Sequence, residues 1–252
     1  MKMGKSRCTA IVLAAGSGKR MKSSTAKQFM LLNDKPLIYY SLHAVEVSEI
    51  IDDCVLVTGE DDIPFVQREV VEKYGFQKVH SIVAGGSERY ESVYNGLMEI
   101  KKSFGVQEME GNSEAAEHYV FIHDGARPFL TEEILQNTYV AVREYGACVA
   151  GMPVKDTIKI ADESGFAVQT PNRNLVWAVQ TPQVFERKLI TGAYEQLIAQ
   201  LEDLKAKGVA ITDDAFVAEY MLGTKVKLVE ASYENIKITT PEDIKTAQGF
   251  LS

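Results

Sequence analysis

Cysteine, tryptophan and long apolar runs are all scarce in this sequence. Its 252 residues include three cysteines and one tryptophan. Cys8, Cys54 and Cys148 are widely separated, so they predict neither a disulfide framework nor a metal-binding cluster. Charged residues interrupt every hydrophobic run, and no stretch approaches the roughly 20 apolar residues that cross a bilayer. The sequence therefore favours a globular protein of the reducing cytoplasm, with no membrane partner.

Basic residues are fewer than acidic ones, although the amino-terminal segment is rich in them. The formal net charge is −8 at pH 7, whereas general nucleic-acid binding usually requires a basic face. Nucleic acid is therefore not an expected partner. Residues 1–27 nevertheless contain seven basic side chains and no acidic one. Either a solvated basic tail or a site that holds a compact polyanion accounts for this cluster.

Short β-rich runs alternate with segments of helical periodicity through the first 152 residues. We predict strands at 9–14, 54–58, 79–83, 119–123 and 147–152, and helices at 37–47, 63–74, 88–101 and 131–145. This alternation is typical of right-handed βαβ units, and therefore of an α/β fold whose mostly parallel sheet is flanked by helices. Ligands bind such sheets beyond the carboxyl ends of the strands.

The pattern changes after Met152. Residues 153–178 alternate like an extended β-arm with little core of its own, and we expect this arm to pack on a second subunit in a homodimer. Helices are predicted at 187–207 and 213–221, strands at 226–229 and 235–238, and a closing helix after Thr240. Asp213 and Asp214 are placed to cap the second of these helices. Residues 104–117 are predicted to form a surface loop, and residues 1–252 one domain.

A glycine-rich loop follows the first predicted strand, with the sequence L-A-A-G-S-G-K-R-M from Leu13 to Met21. Gly16 and Gly18 allow backbone N–H groups to turn towards phosphate oxygens, and Arg20 and Lys27 add positive charge. The loop lacks the G-K-[ST] ending of a P-loop and the third glycine of a dinucleotide fingerprint. An ordinary tight turn remains an alternative on the glycines alone.

A second candidate site is the sequence V-F-I-H-D-G-A-R-P-F from Val120 to Phe129. It places Asp124 at the carboxyl end of a strand, where a carboxylate can bind Mg²⁺ or a substrate hydroxyl. Arg127 is suited to bidentate contact with a phosphate. The alternative is that Asp124 caps a turn while Arg127 pairs with an acid. We interpret His123 as a packed or hydrogen-bonded residue.

Taken together, these motifs resemble the 2-C-methyl-D-erythritol 4-phosphate cytidylyltransferase family. Their combination and order, from residue 10 to about residue 250, are more specific than any single motif. Besides the two loops above, the resemblance depends on G-G-S-E-R, P-V-K-D-T-I-K, R-N-L-V-W, Q-T-P-Q-V-F, I-T-D-D and N-I-K-I-T-T-P-E-D. It implies a Rossmann-like fold with a dimerising arm, and transfer of CMP from CTP to methylerythritol phosphate with release of pyrophosphate.

The resemblance also implies roles for individual residues. The positions beside the nucleotide are Ala14, Ala15 and Gly16, and those that recognise cytidine are Gly86, Ser87 and Ser92. The catalytic cations are Arg20, Lys27 and Lys237. The positions that bind the methylerythritol phosphate, partly across the dimer, are Asp124, Arg127, Thr157, Arg173 and Thr181. Considered alone, Lys237 could be an exposed strand lysine, and Thr157 and Thr181 ordinary strand residues.

The implied reaction explains why the site needs cations rather than a nucleophile. A substrate phosphate oxygen attacks the α-phosphorus of CTP in line, while Mg²⁺ and basic side chains stabilise the spreading charge. Two alternatives remain. One is a ribitol 5-phosphate cytidylyltransferase, although P-V-K-D-T-I-K and R-N-L-V-W favour methylerythritol phosphate. The other is a nucleotide-binding module without catalysis.

Overall fold

The computed structural model describes residues 6–16, 27–109 and 117–251 of the chain. The strands within these residues are β1 (Arg7–Ala14), β2 (Leu31–Leu32), β3 (Lys35–Pro36), β4 (Asp53–Thr58), β5 (Val79–Ala84), β6 (His118–Asp124), β7 (Ala147–Pro153), β8 (Ile160–Ala161), β9 (Ala167–Gln169), β10 (Trp177–Glu186) and β11 (Lys227–Glu230). The α-helices are α1 (Leu37–Val47), α2 (Ile63–Val66), α3 (Arg89–Met109), α4 (Glu132–Tyr145), α5 (Arg187–Ala199), α6 (Leu201–Ala206), α7 (Asp214–Leu222) and α8 (Pro241–Phe250).

Seven of these strands form one sheet in the order β11-β7-β10-β6-β1-β4-β5. β1 pairs in parallel with β4 and β6, β4 with β5, and β11 with β7, whereas β10 is antiparallel to β6 and β7. The predicted α/β fold with a mostly parallel sheet is therefore confirmed. β10 was not among the predicted strands, and Pro182 in its interior, which cannot donate a ladder hydrogen bond, is unusual in the middle of a sheet. A register shift between Val179 and Gln183 accommodates it.

The sheet is covered on both faces, and alternation along β1 shows how. Ala10 and Val12 belong to an apolar cluster with α1 and α4, whereas Ile11 belongs to a cluster with α3, α5 and α7. Successive strand residues point to opposite faces, so one buried strand supplies both layers of core. Burying each large aliphatic side chain contributes about 1.5–3 kcal/mol. The carboxyl ends of the strands, where the motifs lie, are held by this core.

Several predicted helices differ from the observed ones in their bounds. The predicted 63–74 helix consists of α2 followed by a π-helical turn (Gln67–Glu72). α3 continues to Met109, so the predicted surface loop was wrong at its start, and residues 110–116 lie outside the described part of the chain. The predicted 187–207 helix is broken at Gln200, which has non-helical angles (φ −110°, ψ 8°). Asp213 caps α7 as predicted, accepting from the Phe216 amide at 2.9 Å.

The predicted strand at 235–238 was wrong. This segment has no ladder partner and forms an extended loop, held where the Ile238 amide donates to the Ala126 carbonyl at 2.9 Å. Its alternating isoleucines pack instead in a third apolar cluster, with Leu32 of β2 and Ala247 of α8. The alternation therefore reflects burial against a hairpin and a helix, which sequence periodicity does not distinguish from burial in a sheet.

The predicted arm (residues 153–178) contains the two-stranded hairpin β8–β9 and a 3₁₀ turn (Arg173–Leu175), and it returns to the sheet through β10. Its role in dimerisation stays a prediction. Within the described residues, no helix is both long and apolar enough to cross a membrane.

His118, at the start of β6, should make stability depend on pH. Burial, followed by Arg187 and Arg7, lowers its pKa to about 3. An unfolded chain therefore binds a proton below pH 6.5 that the native chain does not, and stability falls as pH falls. Between pH 7.5 and 5.5, this one group should cost about 1.4 kcal/mol. Urea unfolding of His118→Gln should show a decline smaller by that amount than the wild type.

The control for this experiment is His43→Gln, since the His43 side chain is exposed on α1. This variant should retain the pH dependence of the wild type. Equal declines in His118→Gln and the wild type would contradict the assignment of His118 as a partly buried, neutral imidazole.

Candidate active site

A cavity of about 520 Å³ lies beyond the carboxyl ends of β1, β5 and β6. All six residues that the sequence implied for the nucleotide line it: Ala14, Ala15, Gly16, Gly86, Ser87 and Ser92. Asp124 and Lys237 line it too. Because parallel strands end at one edge of the sheet, loops far apart in sequence converge there.

Two glycines allow the β5–α3 loop to pack closely, Gly85 against the end of β1 and Gly86 against the first turn of α3. A β-carbon added at Gly85 would overlap that of Ala15, and one added at Gly86 would overlap the Glu91 side chain. The loop is held by Ser92, whose hydroxyl accepts from the Gly86 amide at 3.1 Å and donates to the Glu88 carbonyl at 3.2 Å. Close backbone approach is what shapes this wall of the cavity.

Asp124 lies between two cations at the end of β6. Lys237 Nζ donates to Oδ2 at 2.6 Å, and Arg89 Nε donates to Oδ1 at 3.2 Å. Burial alone would raise the pKa of Asp124, but Arg89 and then Lys237 overcome it and hold the pKa well below its usual value. The carboxylate is therefore ionised, and Lys237 is tied to it although 113 residues separate them.

A second cavity of about 430 Å³ shares Arg89, Asp124 and Lys237 with the first, and Arg127 and Thr181 line it as well. Arg127 donates from Nη1 to the Asn235 carbonyl at 2.7 Å. Its buried Nε has no hydrogen-bond partner among the described residues. Arg127 therefore keeps one unpaired donor within the protein, while its guanidinium brings positive charge to the wall of this cavity.

His123 supports this second cavity from beneath. Its Nδ1 lies 3.0 Å from Thr181 Oγ1, and its Nε2 lies 3.1 Å from the Arg127 carbonyl. The Thr181 hydroxyl also accepts from the Asp124 amide at 3.1 Å. Burial lowers the pKa of His123 to about 4. The ring is neutral at neutral pH, and its burial and hydrogen bonds confirm the interpretation of His123 as a packed, hydrogen-bonded residue.

Comparison with known proteins identifies the family. Residues 8–252 match the model of the 2-C-methyl-D-erythritol 4-phosphate cytidylyltransferase family. The curated enzyme of that name from Lachnoclostridium phytofermentans is 45% identical, over 97% of this chain and 96% of its own length. The corresponding enzyme from Lachnospira eligens is 46% identical over 96% and 98%. The chain belongs to this family.

Solved structures of the same cytidylyltransferase family agree with the fold. The 4-diphosphocytidyl-2C-methyl-D-erythritol synthase of Anaerococcus prevotii is 33% identical and superposes with a TM-score of 0.77, covering 98% of this chain and 96% of that one. The Francisella tularensis cytidylyltransferase is 26% identical, with a TM-score of 0.74 and coverage of 97% and 99%. The sheet and its flanking helices are therefore those of the family.

Four of the residues implied by the family resemblance are not among the described residues that line the two cavities. Arg20 lies outside the described residues, and so does the side chain of Lys27, whose backbone forms a 3₁₀ turn (Lys27–Phe29) near β1. Thr157 and Arg173 are exposed on the arm and line neither cavity as described. Arg173 Nη1 donates to the Lys155 carbonyl at 3.2 Å. The roles of all four stay predictions.

The sequence predicted no role for Arg89 and only a helix-capping role for Asp214. Arg89 forms a two-pronged ion pair with Asp214, with both N–O distances at 2.8 Å. Asp214 was expected only to cap a helix, yet its side chain is fully buried. One signal was present, because an arginine in the first turn of a helix opposes the helix dipole. Such a residue indicates a specific acidic partner.

Gly85→Ala should test the close contact between the β5–α3 loop and β1. The added methyl would overlap Ala15 and lie 2.8 Å from Ser92 Oγ, so we expect a loss of about 1–3 kcal/mol in the free energy of unfolding. The control is Gly192→Ala in α5, where a β-carbon meets nothing within 4 Å and helix propensity favours alanine by about 0.5–1 kcal/mol. Urea unfolding measures both. A Gly85→Ala protein as stable as the wild type would contradict the packing described.

Proposed function

We propose that this chain transfers CMP from CTP to 2-C-methyl-D-erythritol 4-phosphate, releasing pyrophosphate and 4-diphosphocytidyl-2-C-methyl-D-erythritol. Membership of the cytidylyltransferase family supports this activity. The structural observation that carries it is the pair of cavities with a common wall of Arg89, Asp124 and Lys237. Two anionic substrates bound on either side of that wall would meet beside the Lys237 ammonium.

In this proposal, CTP occupies the larger cavity and the polyol phosphate the smaller one. Gly86, Ser87 and Ser92 of the β5–α3 segment would contact cytidine. Ala14, Ala15 and Gly16 would contact the rest of the nucleotide. In the smaller cavity, the positive charge of Arg127 supports binding of the polyol phosphate, alongside Thr181. Asp124 lies where either substrate can reach it.

The transfer needs alignment and positive charge. An oxygen of the polyol phosphate attacks the α-phosphorus, and the bond from that phosphorus to the bridging oxygen of pyrophosphate breaks. The attacking oxygen is already anionic, so no protein base is required, and His123 is hydrogen-bonded elsewhere. Lys237, together with Arg20 and Lys27, would stabilise negative charge on the oxygens of the reacting phosphoryl group.

Mg²⁺ is part of the proposal as an ion that CTP brings with it. Among the residues the structure describes, no three His, Cys, Asp or Glu side chains are grouped to hold a metal. Mg²⁺ in phosphoryl-transfer sites is commonly held by one or two carboxylates plus substrate phosphates. Asp124, an ionised carboxylate in the wall of both cavities, fits the protein's share of such a site. The ion would neutralise and orient the phosphates of CTP.

We further infer that the chain acts in the reducing cytoplasm. All three cysteines are buried and free of disulfides. Burial raises the pKa of the Cys148 thiol to about 12 and that of the Cys54 thiol further above its usual value. Buried, protonated thiols of this kind serve as core residues and do not depend on an oxidising environment.

A pyrophosphate-release assay with CTP and Mg²⁺ tests the activity, with methylerythritol phosphate and ribitol 5-phosphate offered in parallel. We expect release with methylerythritol phosphate, and its loss when the metal is chelated. Lys237→Ala and Lys27→Ala should each lower turnover by about 100- to 1,000-fold, because each removes a charge that acts mainly in the transition state. Lys245→Ala, exposed on α8, is the matched control and should keep wild-type turnover.

Other outcomes of the assay are equally informative. Faster release with ribitol 5-phosphate would assign the other polyol as substrate. Binding of CTP without release of pyrophosphate would indicate a nucleotide-binding module. Near-wild-type turnover in both lysine variants would refute the charge-stabilised mechanism.

We also propose that the arm joins two copies of this chain in a homodimer. The arm exposes large apolar side chains, with Phe166 73%, Val168 64% and Leu175 79% exposed. Such a surface is typical of a protein interface. A second copy would also explain why Thr157 and Arg173 line neither cavity of their own chain, since their partner would be the cavity of the other subunit.

Leu175→Glu should therefore produce a monomer, because it would place a charge in the proposed interface. Turnover should fall with it, since Thr157 and Arg173 would no longer reach the opposite cavity. Val47→Glu, at an exposed apolar position on α1, is the control and should remain dimeric. Light scattering at micromolar concentration measures both variants. A monomeric, fully active wild type would remove the dimer proposal and leave the proposed activity intact.

A further inference from the structure

We propose that Arg89, held by the buried Asp214, is a positioning residue that fixes Asp124 and Lys237 at the junction of the two cavities. This inference rests on the proposed function, because it concerns the placement of the Lys237 ammonium. Asp214 and Tyr194 would then influence turnover although neither lines the cavities described here.

The contacts of Arg89 use all three of its nitrogens. Nη1 and Nη2 donate to the two oxygens of Asp214 at 2.8 Å each, and Nε donates to Asp124 Oδ1 at 3.2 Å. Since the guanidinium is planar and rigid, a fork on one carboxylate sets the direction of Nε. Asp214 thereby determines where Arg89 meets Asp124.

Asp214 is itself firmly held. Its side chain is fully buried, and Tyr194 Oη, which is also buried, donates to its Oδ1 at 2.5 Å. Tyr194 belongs to α5 and Asp214 begins α7, so the anchor is built into the packed helices of one face of the sheet. An unpaired charge at this depth would be very costly, and Arg89 is the partner that compensates it.

The same contacts extend to Lys237 through Asp124. Asp124 Oδ2 accepts from Lys237 Nζ at 2.6 Å while Oδ1 is occupied by Arg89. Lys237 lies on a segment without sheet hydrogen bonds, so a ladder does not fix its position. Acidic and basic side chains therefore alternate along one series of contacts, Asp214–Arg89–Asp124–Lys237. Loss of the Asp214 charge would release Arg89 to bind Asp124 with two nitrogens and to displace Lys237.

The decisive variant is Asp214→Asn, which preserves the shape of the side chain and lies away from both cavities. We expect kcat to fall about 10- to 100-fold, since a small misplacement of a catalytic group has that effect. KM for CTP should change by less than about threefold, because Asp214 contacts none of the residues proposed to bind the nucleotide. Tyr194→Phe, which removes one hydrogen bond to Asp214, should lower kcat by about threefold or more.

Two further variants separate positioning from stability and from charge. Leu197→Ala, in α5 one turn after Tyr194, creates a cavity in the same buried cluster and should lower the melting temperature while preserving kcat. Arg89→Lys keeps a positive charge beside Asp124 but cannot form the fork. It should lose kcat as Asp214→Asn does.

The inference is overturned if folded Asp214→Asn retains wild-type kcat, if Arg89→Lys retains it, or if Leu197→Ala loses as much kcat as Asp214→Asn. Should Asp214→Asn fail to fold, Tyr194→Phe decides, and an unchanged kcat in that variant overturns the inference. Circular dichroism and thermal melting establish folding in each case. A wild type that releases no pyrophosphate would instead refute the proposed function.

Discussion

The hydrogen bonds that the Asp124 carboxylate accepts from Lys237 and Arg89 are the interaction on which the site depends. A negative group in the proposed site for two polyanions is at first sight unfavourable. Before substrates bind, however, a partly buried set of uncompensated cations would be unstable. Asp124 offsets that charge and holds Lys237 in place, and its low pKa keeps it ionised as pH falls.

The parallel sheet explains why the site can combine such distant residues. Asp124 ends β6, Ala14 ends β1, and Gly86 follows β5, so the sheet itself places all three at one edge. Lys237 is not placed by the sheet. It lies on a loop that packs against β2, α8 and Ala126. The rigid part of the site comes from strand order, and the remaining part from the packing of a loop.

Much of the fold could be predicted because its signals are local. Buried strands such as β1 and β4 are short apolar runs, and capping residues such as Asp213 mark helix starts. The errors fell where local signals conflict with packing. No strand was predicted for β10, which contains Pro182. The alternation of Ile236 and Ile238 indicated a strand that the structure does not form. Apolar alternation indicates which side is buried but does not identify what buries it.

By itself, the sequence determined the class of fold, the family, and six of the residues that line the larger cavity, since these depend on motifs whose residues are close in the chain. Only the tertiary structure decided that Asp214 fixes Arg89 across 125 residues, and that a second cavity shares its wall with the first. The physical reason is that an ion pair between distant residues has no periodicity or spacing. It exists only once the packing of α3, α5 and α7 has excluded water from both partners.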